Sequence, residues 1–448
     1  MERSESGTRD DRTVHAAIDQ SVEERDQSFM GVALAEGRRG LARTSPNPAV
    51  GAVLVRDGRI VGRGQTQPPG GPHAEIVALR EAGEAARGAT LYVTLEPCAH
   101  HGRTPPCVDA LVAAGVAEVR VALVDPFPQV AGRGIARLRA AGILVAVGLG
   151  ATEASELHEG FFTRLATGRP HVTAKWAMTL DGRIATRTGH ARWVTGPSAR
   201  REVHRLRDRV DGIVVGVGTV LADDPLLTTR LPDEDVGVGG PHHPLRIVLD
   251  SAGRTPPEAR LLRPDIPGRT VIACTAAIPE ARRAAWRARG AEVLVVAGDG
   301  PRVDPRRLFA ELGARGLNTL LVEGGGETLA SCFAAGLVDR VLAFVAPQLV
   351  GGRGAPGPLG GLGAATMDGA YRLRDVVVRH FDDDLLIQGE IDRGGAAADE
   401  ADGPVAAAPA TGEIFHQRTK STIGREESLG DGRILPSTQG GDHVHRDC

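Results

Sequence analysis

Apolar residues recur along this chain with two alternating periods, one suited to strands and one to helices. "AVGAVLVRDGRIVGRG" sets two apolar runs around Asp57-Gly58 and predicts a β-hairpin, since Asp-Gly accepts the positive φ of a two-residue turn. "HAEIVALREAGEAA" then shifts to helical spacing, with Ile76, Leu79 and Ala82 on one side, and "ATLYVTLEP" returns to a strand. Helix "CVDALVAAG", strand "AEVRVALVD", helix "GIARLRAAG" and strand "ILVAVGL" follow. This alternation predicts a layered α/β domain over residues 25–150. "TEASELHEGFFTRLATG" predicts a connecting helix over 151–169, and a second alternation starts at "PHVTAKWAMTLDG". Its Val/Leu/Ile-rich strand candidates are "DGIVVGVGTVLADDP", "LRIVLDS", "TVIACT", "AEVLVVAG", "LNTLLVEGGG" and "RVLAFVAP", separated by Ala- and Arg-rich helix candidates. They predict a second α/β domain over 170–393.

Residues 1–24 and 394–448 carry no sustained apolar period and are expected to be disordered. His443, His445 and Cys448 lie in that C-terminal tail, where ordering a specific metal site would cost too much chain entropy. A length of 448 residues suits two cores. The net charge of -3 with 24% charged residues provides no global positive field for nucleic acid or an anionic membrane, so a small-molecule partner is favoured. Five cysteines are an odd number, no apolar run follows a basic N-terminus, and no stretch of about 18 apolar residues occurs. The expectation is a reduced, soluble, cytoplasmic protein.

The candidate chemistry of the first half gathers around "TLEPCAHHGRTPPC". Imidazole and thiolate are preferred zinc ligands, and a catalytic zinc takes three while leaving one position for water. His73, Cys98 and Cys107 supply such a set. His73 opens a predicted helix and the cysteines follow a predicted strand, where a helix N-terminus favours thiolate. Glu75 stands two residues after the histidine, placed to move a proton in a hydrolytic step. H-x-E followed by P-C and a later cysteine is the signature of zinc deaminases, in which the glutamate is not a ligand. Here eight residues separate the cysteines instead of two. A structural zinc would need a fourth ligand such as His100 or His101.

"PNPAVGAVLV", "PHAEIVALREAGE", "YVTLEPCAHHGRTPPCVDALVAAGV" and "DPFPQVAGRGI" resemble the deaminase half of the bifunctional riboflavin-biosynthesis deaminase/reductase family, which has this long gap. The resemblance implies a cytidine deaminase-like three-layer α/β/α fold, one zinc ion per chain, and hydrolytic deamination of 2,5-diamino-6-(5-phosphoribosylamino)pyrimidin-4-one. It also implies that Glu75 shuttles the proton, that Asn47 holds the pyrimidine, and that His100 and Arg103 face the phosphate. Charge-assisted bonds suit that phosphate. Asp125 either meets substrate or forms a turn before Pro126, and His101 has no assigned role.

No G-x-G-x-x-G opens a βαβ unit in the second half. "LNTLLVEGGGETL" instead runs a buried strand into Gly324, Gly325 and Gly326 before a helix, presenting backbone N–H groups to a phosphate. With "KWAMTLDGRIAT", "WVTGPSARREVHRLR", "GVGTVLADDPLLTTR" and "LRIVLDS", this stretch resembles the reductase half of the same family. That implies a dihydrofolate reductase-like fold, NADPH as cofactor, and reduction of the ribosyl group to ribityl, giving 5-amino-6-(5-phosphoribitylamino)uracil. By motif, the cofactor would contact Ala177, Trp193, Thr219, Asp223 and Ser251. It would also contact Gly325, Gly326, Glu327, Thr328, Leu329, Ala330 and Ser331. Substrate would meet Lys175, Arg207, Leu227, Arg230 and Glu323, with Lys175 and Asp223 assisting ring opening and the two arginines holding phosphate. Where the family has G-x-S-x-W, this chain reads "GHARW", with Ala191 in place of the serine.

Two other readings use the same residues. One is a zinc deaminase of another nucleobase or nucleotide with a nucleotide-sensing second domain; the other is a zinc-stapled binding module. A strand-binding deaminase needs a basic or aromatic channel, which neither composition nor local charge supplies. A homo-oligomer is also expected.

Overall fold

The computed structural model describes residues 8–100, 105–127, 130–232, 240–298 and 300–393. The expected 394–448 tail lies outside them. The chain opens with α1 (Thr8–Gly40), followed by the hairpin β1 (Gly51–Arg56) and β2 (Arg59–Gln65). Asp57 and Gly58 form its turn with φ of 51° and 71°, the conformation the Asp-Gly pair was expected to supply. Then come α2 (Ala74–Ala82), β3 (Thr90–Val93), α3 (Cys107–Ala114), β4 (Glu118–Val121), α4 (Arg133–Ala140), β5 (Leu144–Val147) and α5 (Ala151–Thr167). The sheet order is β2-β1-β3-β4-β5, with β3, β4 and β5 parallel.

Successive strand residues face opposite sides, and this sheet has a core on each. Ala52, Leu54, Leu91, Val93, Val119 and Val121 pack with Ala74, Ala78, Val108, Leu111 and Leu138 of α2, α3 and α4. Val53, Val55 and Tyr92 pack with Met30, Ala33 and Leu34 of α1 and with Ala154 and Leu157 of α5. The result is three layers, α/β/α. Each fully buried Leu or Val contributes roughly 1.5–3 kcal/mol. Asp26 of α1 ties that helix to the sheet, accepting from Tyr92 Oη at 2.5 Å and pairing with Arg120 at 2.6 Å.

The second half forms β6 (His171–Thr179), α6 (Pro197–Asp208), β7 (Gly212–Gly216), α7 (Val217–Asp223), β8 (Leu245–Leu249), β9 (Thr270–Cys274), α8 (Glu280–Ala288) and β10 (Glu292–Val295). It continues with α9 (Pro305–Ala314), β11 (Thr319–Val322), α10 (Gly326–Ala334), β12 (Arg340–Ala346), β13 (Leu373–Phe381) and β14 (Asp384–Ile391). The sheet order is β10-β9-β8-β7-β11-β6-β12-β14-β13. Strands β10 through β12 in that order are mutually parallel, and β14 and β13 close one edge antiparallel. Parallel strands deliver their C-terminal ends to one side, where ligands of such sheets bind.

Three expectations change. Residues 8–24, expected to be disordered, belong to α1, because extending a helix already anchored by Asp26 and Met30 costs far less than nucleating one. "DGIVVGVGTVLADDP" is not one strand: β7 stops at Gly216 and the rest coils into α7. The β13–β14 hairpin went unpredicted, because β13 is an edge strand exposed on both faces and so shows no inward-outward alternation. Among the described residues, no helix is long and apolar enough to cross a membrane.

Candidate functional site

The first site forms where three connections meet. His73 occupies the residue before α2, Cys98 lies in the loop after β3, and Cys107 begins α3. His73 Nδ1 lies 3.2 Å from Cys107 Sγ and 3.6 Å from Cys98 Sγ, and the three ligand atoms all fall within 4.8 Å of one another. The Cys107 amide donates to Cys98 Sγ at 3.3 Å, so the α3 N-terminus faces the sulfur as expected. That helix end does not decide the Cys107 thiol. Cys98 beside it, then burial and Glu75, push it well above its ordinary range. Two thiols crowded against an imidazole nitrogen become compatible thiolates only with a cation between them, which fits zinc.

Glu75 is only 3% exposed, and burial pushes its carboxyl up to about 7, the range of an acid that gives and takes protons near neutrality. With Asn47, Pro48, Glu96 and Asp125 it lines a cavity of about 40 Å³ beside His73 and Cys98. Asp125 both faces this cavity and caps a turn, accepting from the Phe127 amide at 2.8 Å. The His100 ring lies outside the lining, its two nitrogens without hydrogen-bond partners among the described residues. Arg103 and His101 lie outside the described residues.

Glu96 was missed by sequence reasoning. Its buried carboxylate accepts from the amides of Gly132 at 2.9 Å, Ile135 at 3.1 Å and Asp125 at 3.3 Å. It therefore ties the loop carrying Cys98 to the N-terminus of α4. A glutamate placed before Pro97 at a strand end was the available signal.

The second site is a cleft of about 510 Å³ at the C-terminal ends of the parallel strands. Lys175 and Ala177 of β6, Arg207 of α6, Thr219 and Asp223 of α7, and Glu323 after β11 line it. So do Trp193, Arg230, Gly325, Gly326 and Leu329. Gly324 and Gly325 have φ of 157° and 65°, and a Cβ on either would meet Thr219 Oγ1 at 3.1 or 3.3 Å. Trp193 is 67% exposed, with the Arg200 guanidinium 4.4 Å over its ring. Arg207 grips Glu323 bidentately, Nε to Oε1 and Nη2 to Oε2 both at 2.7 Å. Burial pushes the Glu323 carboxyl up, but Arg207 and Lys175 outweigh it and hold it at about 2. Burial lowers the Lys175 ammonium. His204, also in the cleft and unassigned from sequence, is held at about 4 by burial and the nearby Arg207 and Arg230.

The remaining expected contacts do not line this cleft. The Ser251 hydroxyl accepts from the Val303 amide at 2.9 Å. The Leu227 side chain is packed in the core with Ile213 and Val215, and its φ is 54°. Glu327 accepts from the Gly361 amide at 3.2 Å, Thr328 lies against Gly216, and of residues 327–331 Leu329 lines the cleft. Ala191, where the family serine was expected, is on the wall.

Residues 23–123 match the model of the cytidine and deoxycytidylate deaminase zinc-binding region, and residues 170–387 match the RibD C-terminal domain. The riboflavin biosynthesis protein RibD of Actinobacillus pleuropneumoniae is 42% identical over 362 residues, covering 81% of this chain and 94% of that protein. The chain belongs to the RibD family. RibD proteins of riboflavin biosynthesis join a deaminase to a reductase, and both domains are present here. The structure of Acinetobacter baumannii RibD superposes with a TM-score of 0.70 at 35% identity, covering 83% of this chain and 100% of that one. A Thermotoga maritima structure, described as a diaminohydroxyphosphoribosylaminopyrimidine deaminase/5-amino-6-(5-phosphoribosylamino)uracil reductase, gives 0.71 at 32% identity, covering 83% and 99%. The deaminase and reductase regions thus occupy separate halves of this chain.

Proposed function

We propose that this chain catalyses two consecutive steps on one phosphorylated pyrimidine: deamination of 2,5-diamino-6-(5-phosphoribosylamino)pyrimidin-4-one, then reduction of its ribosyl group to ribityl by NADPH. The observation that carries the reading is the convergence of His73, Cys98 and Cys107 with buried Glu75 beside them. Zinc held by those three residues supplies Lewis acidity for hydrolysis. Glu75 takes a proton from the attacking water and delivers it to the departing amine, so that C2 gains a carbonyl oxygen and ammonia leaves. Asn47 on the cavity wall holds the ring.

Trp193, Thr219 and Gly325 on the cleft wall would hold NADPH, which would supply the hydride equivalent for C1′ of the ring-opened substrate. The Gly324–Gly326 turn presents amides to a cofactor phosphate. Lys175, its ammonium lowered by burial, and Asp223 move the protons of ring opening. Arg230 meets the substrate phosphate, while Arg207 is committed to Glu323 and positions that carboxylate. The exposed edge strand β13, with Val376, Val377 and Val378 at 52%, 47% and 53% exposure, supports a homo-oligomer, which a monomeric mass in solution would exclude. The net charge of -3 supports a small-molecule partner over nucleic acid or an anionic membrane, and the odd cysteine count supports a reduced, cytoplasmic setting.

The test follows ammonia and the near-ultraviolet absorbance of NADPH separately, with zinc-loaded protein and the diaminopyrimidinone ribosyl phosphate. Ammonia should appear without NADPH, and NADPH should be consumed only after deamination. Zinc-loaded protein that releases no ammonia would overturn the assignment.

A further inference from the structure

The loop that carries Asn47 into the deaminase cavity is held from outside its own domain. Asn318, 7% exposed and immediately before β11 of the reductase half, points its amide at that loop. Its Nδ2 lies 3.0 Å from Ser45 Oγ and 3.4 Å from the carbonyl oxygens of both Pro46 and Asn47. Arg164 of α5 completes the clamp, donating from Nε to Asn318 Oδ1 and from Nη2 to the Pro46 carbonyl, both at 2.7 Å. The Asn318 backbone is itself fixed, its amide donating to Asp211 Oδ2 at 2.8 Å. Close contact adds to this: Gly316 has a φ of 87°, and a Cβ there would stand 3.0 Å from Pro46 Cβ.

Packing does not do this work alone, because a cavity of about 190 Å³ lies between the halves against Ser45, Asn47, Asp211 and Asn318. With that space available, the loop position depends on directed hydrogen bonds, since buried carbonyls keep the donors they have. We infer that Asn318 and Arg164 are positioning residues for the deaminase: they hold loop 44–47 so that Asn47 faces the pyrimidine. The reductase half is thereby part of the deaminase site. The inference rests on the proposed role of Asn47 in binding that ring.

Asn318→Ala and the isosteric Asn318→Asp, which fills the same space but cannot donate, test it in the full-length zinc-loaded protein. Both should raise the deaminase KM about tenfold, the equivalent of about 1.4 kcal/mol. Zinc content and the reductase KM for supplied deaminated intermediate should stay at wild-type values, and amide hydrogen exchange in residues 44–47 should quicken. Asn318→Asp with wild-type deaminase KM and exchange would show that volume suffices, and the inference fails. Equal losses in both activities would also overturn it, as a general destabilisation. A wild-type protein releasing no ammonia would instead indict the substrate assignment, leaving hydrogen exchange to judge the clamp.

Discussion

The two sites differ in how much chain it takes to build them. The deaminase ligands come from residues 73–107 and close on a cavity of about 40 Å³, whereas the reductase cleft collects residues 175–358 around about 510 Å³. The small site concentrates its chemistry in residue types with few alternative uses, two buried cysteines and a histidine meeting at one point. The large one disperses it over strand ends, and its strongest contact, Arg207 to Glu323, is internal to the protein. A compact site should fail all at once when one group is lost; a dispersed one should fail by degrees.

The largest effect expected of this contrast comes from Glu75→Gln. Removing the proposed proton carrier should cut ammonia release by about 10²–10⁴-fold. Reduction of supplied intermediate should continue at the wild-type rate, and simultaneous loss of both activities would contradict independent chemistry in the two halves.

Next comes the buried pair. Arg207→Ala leaves Glu323, 7% exposed, without its partner and should destabilise the protein by about 3–5 kcal/mol in denaturant unfolding. A change below about 1 kcal/mol would mean that the pair behaves as if solvated. It also has an acid signature. Glu323 is held at about 2 in the fold against an ordinary value of 4.5, so its contribution is fully present above pH 4.5 and is lost as pH falls from there toward 2. In the Arg207→Ala protein this loss of stability between pH 4.5 and 2 should flatten.

The smallest effect is expected at Ala191. Restoring a hydroxyl with Ala191→Ser should lower the reductase KM by a few-fold, corresponding to about 0.5–1.5 kcal/mol for one neutral hydrogen bond. An unchanged KM would show that the missing hydroxyl is no substrate contact in this cleft.

How far each site could be read in advance follows the same division. The meeting of His73, Cys98 and Cys107 was legible because ligand chemistry restricts residue type and spacing more than packing does. The turn at Asp57-Gly58 was legible because only a few residues accept its backbone angles. Glu96 was not, because a glutamate in a strand-end loop has many uses and only the fold brings the amides of Gly132 and Ile135 to it. The pairing of Arg207 with Glu323 was not legible, since the arginine's charge is visible in the sequence and its carboxylate partner, far along the chain, is not. Strand β13 escaped because its residues face solvent on both sides, so no alternation records it.

By itself the sequence determined that two α/β domains would form and that one would gather a histidine, two cysteines and a glutamate, because periodicity and ligand chemistry are local properties. Tertiary structure decided which charges neutralise one another, which expected contacts turn into the core, and that Asn318 of one half holds the loop of the other. Those outcomes depend on distances between residues remote in the chain. Such distances exist only once the sheets have packed.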